Sequence, residues 1–271
     1  MSSVRRRPSI QARGALLLAL LAVFALGASA PIAAAHGNAR PTIVLVHGAW
    51  AGPAAWDQVV AELRHDGYRT VTPKLDLLSI DGDTAIVRSA LDAIGGDKIL
   101  VGHSYGGIVI SNASAGRSDI SALVLTAAFL PDEGESIVSL ETGFIPSAAL
   151  ANIVWTGEPF ASLSYINPST FRAVFAADTS AKRAGLLNSG QQGTSPAVLV
   201  SPSGPVGWHT IPSWYAVSGK DLMIDPAEER WMAQRAGATI ITFKNASHAG
   251  GFTVHAEAFA KLIKQAVSAT D

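Results

Sequence analysis

The chain contains no cysteine. Disulfide staples and thiolate metal sites are therefore excluded, and the fold must rest on an ordinary core in either redox compartment. Charge is sparse as well. Asp, Glu, Lys and Arg make up 15% of residues against 48% hydrophobic, a balance that excludes a disordered chain. A basic surplus is also missing. Four arginines and no acid fall in the first 35 residues, which leaves 16 basic against 21 acidic side chains in the rest. A nucleic-acid partner needs a basic face, so none is expected. No apolar run reaches the ~20 residues that a membrane span requires, and no internal repeat is visible. With 271 residues, the chain is long enough for one domain with a sizeable core.

What the first 35 residues do contain is an ordered series. Arg5-Arg6-Arg7 and Arg13 precede the apolar run Ala15 to Leu26, and small residues follow at Ala28-Ser29-Ala30 and Ala33-Ala34-Ala35. A basic start, a short apolar stretch and an A-x-A-type site read as a secretory signal peptide over 1–35, cleaved after Ala30 or Ala35. The expected mature protein, residues 36–271, is secreted or periplasmic and has no stable membrane anchor.

The most informative stretch is Gly102-His103-Ser104-Tyr105-Gly106-Gly107. The apolar run Lys98 to Val101 precedes it and Ile108-Val109-Ile110 follows, which predicts strand, sharp turn and helix. A serine at such a tip has a backbone conformation that most residues avoid, and glycines on either side let strand and helix pass closely. The turn lifts the hydroxyl above the sheet edge, beside the free N–H groups of a helix N-terminus.

Around it, strands are predicted at 41–46, 68–72, 121–127, 213–218 and 238–243. Helices are predicted at 54–64, 83–94, 225–236 and 257–267, with 75–81 a loop. Alternating strands and helices point to an α/β fold with a mostly parallel sheet covered on both faces. The alternation fails from 131 to about 207, a stretch rich in proline, serine, glycine and scattered aromatics. It reads as a small helical cap inserted between sheet strands, enclosing an apolar cavity. Asn167-Pro168-Ser169 and Asp178-Thr179-Ser180 look like helix starts within it. Trp50, Phe129 and Trp155 are candidate pocket walls.

Gly-His-Ser-Tyr-Gly-Gly, together with Val46-His47-Gly48-Ala49-Trp50, resembles the α/β-hydrolase superfamily, in particular its small esterase and hydroxynitrile-lyase-like branch. The resemblance runs from Pro41 to the C-terminus. It implies an α/β-hydrolase fold and a serine nucleophile at Ser104. It also implies an oxyanion hole formed by the backbone N–H groups of Ala49 and Tyr105, and the chain order serine, acid, histidine. The side chain of His47 reads as structural, since a hole built from backbone needs no imidazole.

A serine hydroxyl needs an imidazole to take its proton, and the imidazole needs a carboxylate to fix its tautomer. In the implied order, His36, His47, His65 and His103 come too early and His209 precedes the acid-bearing strand. Of the remaining two, His248 lies in a glycine-flanked loop just past a strand, where catalytic groups gather, whereas His255 opens a helix. For the acid, Asp225 has a structural duty as N-cap before Pro226, with Glu228 completing a capping box. Asp221 has none, and the family's Gly-x-Asp…Pro pattern falls on Gly219, Asp221 and Pro226. The expected catalytic set is Ser104, Asp221 and His248.

The expected activity is hydrolysis of a small apolar carboxylic ester, aryl esters included, through an acyl-enzyme, with a small-molecule ester as partner and no cofactor or metal. Three other readings stand beside it. A hydroxynitrile-type lyase is the first, but those enzymes carry a lysine after the histidine and a threonine in the first loop, where this chain has Ala249 and Gly48. A cofactor-free perhydrolase and a non-catalytic small-molecule binder are the others. The leader yields its own test: exported protein should begin at Pro31 or His36 by N-terminal sequencing, and an exported chain that keeps Arg5 to Arg7 contradicts the cleavage.

Overall fold

Residues 40–271 are described by a computed structural model; the leader lies outside the described residues. In chain order the elements are β1 (Thr42–Val46), α1 (Asp57–His65), β2 (Thr70–Val71), α2 (Ile80–Asp92), β3 (Lys98–Ser104), α3 (Gly106–Ser114) and β4 (Ile120–Ala128). The segment that follows carries α4 (Ile137–Leu140), α5 (Ala149–Asn152), β5 (Ile153–Trp155), β6 (Ser164–Ile166), α6 (Phe171–Phe175), α7 (Ala181–Ser189) and α8 (Ala197–Val200). The chain closes with β7 (Ser213–Ser218), α9 (Pro226–Arg235), β8 (Thr239–Phe243) and α10 (Ala256–Thr270).

The main sheet has the order β2-β1-β3-β4-β7-β8, and every pairing in it is parallel. Runs such as Thr42–Val46 and Lys98–Ser104 are buried at every position. That is what a strand covered on both faces requires, and it explains why these strands read as continuous apolar runs. Helices α1 and α10 pack against each other, and α2 packs against α3. Because all strands run the same way, their C-terminal ends form one edge. Gly48-Ala49, Ser104, Asp221 and His248 all follow or end a strand at that edge.

Three expectations need correction. Helix α2 begins at Ile80, not Asp83, because the Ser79 side chain accepts the Gly82 N–H and caps the helix one turn earlier. The inserted segment between β4 and β7 is not purely helical. Ile153–Trp155 and Ser164–Ile166 pair as an antiparallel ribbon, as β-branched and aromatic triplets too short for a helix tend to do.

The capping box at α9 does not form either. Asp225 does cap the helix, accepting the Ala227 N–H at 3.0 Å, but its other oxygen takes the Ile145 N–H at 3.0 Å. Glu228 turns inward instead and is fully buried, with no hydrogen-bond partner on either carboxylate oxygen among the described residues. Burial, helped by the nearby charge of Glu141, pushes its pKa from the usual 4.5 up to about 8.

The unfolded chain releases this proton near 4.5 and the folded chain only near 8. Stability should therefore fall as pH rises across that window. Glu228→Gln should match the native chain in urea unfolding at pH 4 and exceed it by roughly 2–4 kcal/mol at pH 8.5. Equal stability at both pH values would contradict a buried, unpaired carboxyl.

Candidate active site

The turn after β3 is strained and tightly enclosed. Ser104 has φ of 53°, a left-handed conformation that is uncommon for any residue other than glycine. The Phe129 N–H holds it by donating to the Ser104 carbonyl at 3.1 Å, where the register with β4 shifts. A Cβ added at Gly106 would lie 2.5 Å from the Val46 carbonyl oxygen, and one at Gly48 would lie 2.7 Å from Ser104 Cβ. Only glycine lets α3 and the first loop come this close to the serine.

Ser104, Ala49 and Tyr105 line one cavity together with Trp50 and Phe129. The cap supplies Ile137, Leu150 and Leu199 to its apolar wall, and Met223 joins them. The free space is small, about 40 Å³. The N–H groups of Ala49 and Tyr105 donate to no other residue among those described. Ser104 Oγ likewise stands without a hydrogen-bond partner there, so it makes no bond to His248 Nε2 in this state. Such contacts commonly tighten only around a bound substrate.

His248 sits at the end of the β8 exit loop, 1% exposed. Its Nδ1 meets Asp221 Oδ2 at 2.7 Å. An ionised carboxylate can only accept, so Nδ1 carries the proton and Nε2 is left as the free base. Asp221 is itself held by the N–H groups of Met223 at 2.6 Å and Ile224 at 3.1 Å, both to Oδ1. The imidazole is flanked by Phe175, with ring centres 4.8 Å apart, and by His103 at 4.5 Å. From the cap, the Phe175 carbonyl accepts the Ala249 N–H at 2.9 Å, and Asp178 hydrogen-bonds Ser247.

Other expected residues lie as follows. His47 Nε2 accepts the Leu75 N–H at 3.1 Å and Nδ1 donates to the Gly48 carbonyl at 3.0 Å. Its side chain braces the first loop, and burial lowers its pKa to about 4, so it is neutral. Trp50, at φ 54°, is pinned to the cap: its N–H donates to Thr194 Oγ1 at 2.9 Å and its indole N–H to Ser164 Oγ at 3.0 Å. Trp155 is a correction. It lies on the β5–β6 ribbon against Phe160, with ring centres 4.9 Å apart, and does not line the cavity. The ribbon turns it toward its own neighbour.

Sequence reasoning missed several supporting residues. His103 donates from Nε2 to the His248 carbonyl at 3.1 Å; burial, and then the neighbouring His248, hold its pKa well below the usual value. Asp83 is buried and accepts the Asp76 and Leu77 N–H groups on one oxygen and the Tyr105 hydroxyl at 2.8 Å on the other. That bond ties down the side chain of a residue that lines the cavity, while burial raises the Asp83 pKa. Glu229 is buried behind Asp221. For the two acids a signal was present: Asp83 falls on the apolar face of α2 with Ile80, Val87 and Leu91, and Glu229 on that of α9 with Met232 and Ala233. Acids inside an apolar stripe are acids with partners to find. No group of three or more His, Asp or Glu side chains poised for a metal occurs among the described residues.

Residues 43–262 match the Alpha/beta hydrolase family. A carbendazim hydrolyzing esterase from Nocardioides sp. (strain SG-4G) is 34% identical over 124 residues, 41% of this chain and 51% of that protein, so the match spans about half of that relative's length. Methylesterase 2 of Arabidopsis thaliana is 26% identical over 226 residues, 73% of this chain and 85% of that protein. A pyrethroid hydrolase from Sphingobium faniae JZ-2 superposes with a TM-score of 0.72 at 24% identity, over 84% of this chain and 98% of that one. At that identity the likeness is one of fold. The match over most of the chain, on a parallel sheet whose C-terminal edge carries a strained serine and a buried histidine–aspartate pair, makes this protein a member of the alpha/beta hydrolase family.

Proposed function

We propose that this protein is an exported serine esterase that hydrolyses a small, apolar carboxylic ester through an acyl-enzyme. One observation carries most of the weight: the buried Asp221–His248 hydrogen bond of 2.7 Å, at the same sheet edge as a serine held in a left-handed turn. Ser104 Oγ attacks the ester carbonyl while His248 Nε2 takes its proton, and Asp221 steadies the imidazolium that forms. The carbonyl oxygen gains the negative charge and lies against the Ala49 and Tyr105 N–H groups, which have no competing acceptor. His248 then returns the proton to the departing alcohol. Water repeats the sequence on the acyl-serine, releasing the acid and freeing Ser104.

The narrow apolar cavity supports a small substrate. The names of the sequence relatives, esterase and methylesterase, support this class of chemistry. The lyase reading finds less support. A side chain at position 48 has no room beside Ser104, and Ala249 follows the histidine.

Purified protein should turn over aryl acetates and butyrates, and Ser104→Ala and His248→Ala should each lose roughly 10⁴-fold or more in kcat, with the double variant no worse than the singles. kcat/KM should rise with pH along a limb of one proton as the base becomes free. Cyanide release from mandelonitrile without ester turnover would overturn the proposal, as would full activity in the Ser104→Ala protein.

A further inference from the structure

Behind Asp221 lies a second carboxyl group that the mechanism above does not use. Glu229, in the first turns of α9, is fully buried against β7. Its Oε2 accepts the Ser218 N–H at 3.1 Å. Its Oε1 is buried with no donor available among the described residues. The carboxyl lies at the turn that carries Asp221: Ser218, whose N–H it holds, accepts the Asp221 N–H at 3.2 Å, and the Asp221 side chain bears on the carboxyl. The other ionisable groups near it are Glu228 on its own helix and Tyr215 on β7, neither of them cationic.

Two carboxylates in contact in a dry interior cannot both be ionised, so one of them keeps a proton. The donors decide which. Asp221 receives the Met223 and Ile224 N–H groups and the His248 Nδ1–H, three donors that favour its anion. Glu229 receives one. The proton therefore belongs on Glu229. Burial, and then the charge of Asp221, push the Glu229 pKa well up, in the same direction.

We propose that Glu229 is a positioning residue for Asp221: a neutral carboxyl that accepts the Ser218 N–H on one oxygen and donates its proton from the other to the Asp221 carboxylate, fixing the anion that faces His248. This rests on the triad reading of Ser104, Asp221 and His248. The role demands one acceptor and one donor, and glutamine supplies the same pair, its amide oxygen for Ser218 and its NH₂ for Asp221. An ionised Glu229 would offer no donor at all.

The test compares Glu229→Gln with Glu229→Leu on an aryl acetate, beside Ser104→Ala. The Gln variant should stay within about 3-fold of the parent in kcat/KM, with an unmoved pH limb. The Leu variant removes the donor and leaves Asp221 loose. It should lose about 10- to 100-fold in kcat with little change in KM, the scale of a small misplacement of a catalytic group. With less of its charge drawn toward Glu229, Asp221 should favour the protonated imidazole more, and the rising limb should move to higher pH.

A parent-minus-Gln infrared difference spectrum should also show the carbonyl band of one protonated carboxylic acid at neutral pH. It can be read even if the Leu variant does not fold. A Gln variant as impaired as Leu, a Leu variant with parental kcat and an unmoved limb, or a difference spectrum showing an ionised carboxylate would each overturn the assignment. The triad reading fails by a separate sign, namely ester turnover surviving in Ser104→Ala.

Discussion

A carboxylate and an imidazole, both shut off from solvent, meet at 2.7 Å between Asp221 and His248. The rest of the site is built around this contact. In a medium of low polarisability such a bond is strong, but leaving either group without its partner is costly. Every neighbour accordingly supplies what the pair needs. Backbone N–H groups of Met223 and Ile224 hold one carboxylate oxygen, His103 holds the histidine carbonyl, and Phe175 packs against the ring while its carbonyl holds the next residue's N–H. These supports come from β3, the loop after β7 and the cap, so the histidine loop depends on the whole assembly.

The serine side is built differently. It depends on close packing and stored strain rather than on buried charge. Ser104 keeps its unfavourable φ because the chain around it leaves no alternative: a side chain at Gly106 would strike the Val46 and His47 carbonyls, and one at Gly48 the serine itself. Asp83 extends this bracing. It ties Tyr105 to the loop at Asp76 and Leu77, so the residue after the serine is fixed through its side chain while its N–H stays free for the cavity. The inserted segment then walls the cavity with the aliphatic side chains of Ile137, Leu150 and Leu199.

The parts legible in the sequence are those encoded locally. The parallel sheet can be read because doubly covered strands are continuous apolar runs, and the turn at Ser104 because its glycines answer contacts with the adjoining strand and helix. The chain order implied by the family resemblance, taken with the strand ends, singled out Asp221 and His248, which the fold brings to hydrogen-bonding distance. What could not be read depends on partners far away in the chain. Tyr105 finds Asp83 across 22 positions, and Trp50 reaches Ser164 across 114. The mispositioned Trp155 shows the same limit, since an aromatic in an inserted segment can face the cavity or a ribbon neighbour with equal hydrophobicity. The capping box failed for a related reason. Its pattern is local, but the Ile145 N–H competes for Asp225 from across the cap, and Glu228 is drawn inward.

The central claim is that Ser104 is a nucleophile activated by His248, and covalent capture tests it most directly. Intact protein treated with an aryl phosphonate and mapped by peptide mass spectrometry should gain one phosphonyl group, located on Ser104, and His248→Ala should be labelled far more slowly. Labelling at another residue, no labelling at all, or equal rates with and without the imidazole would contradict the account.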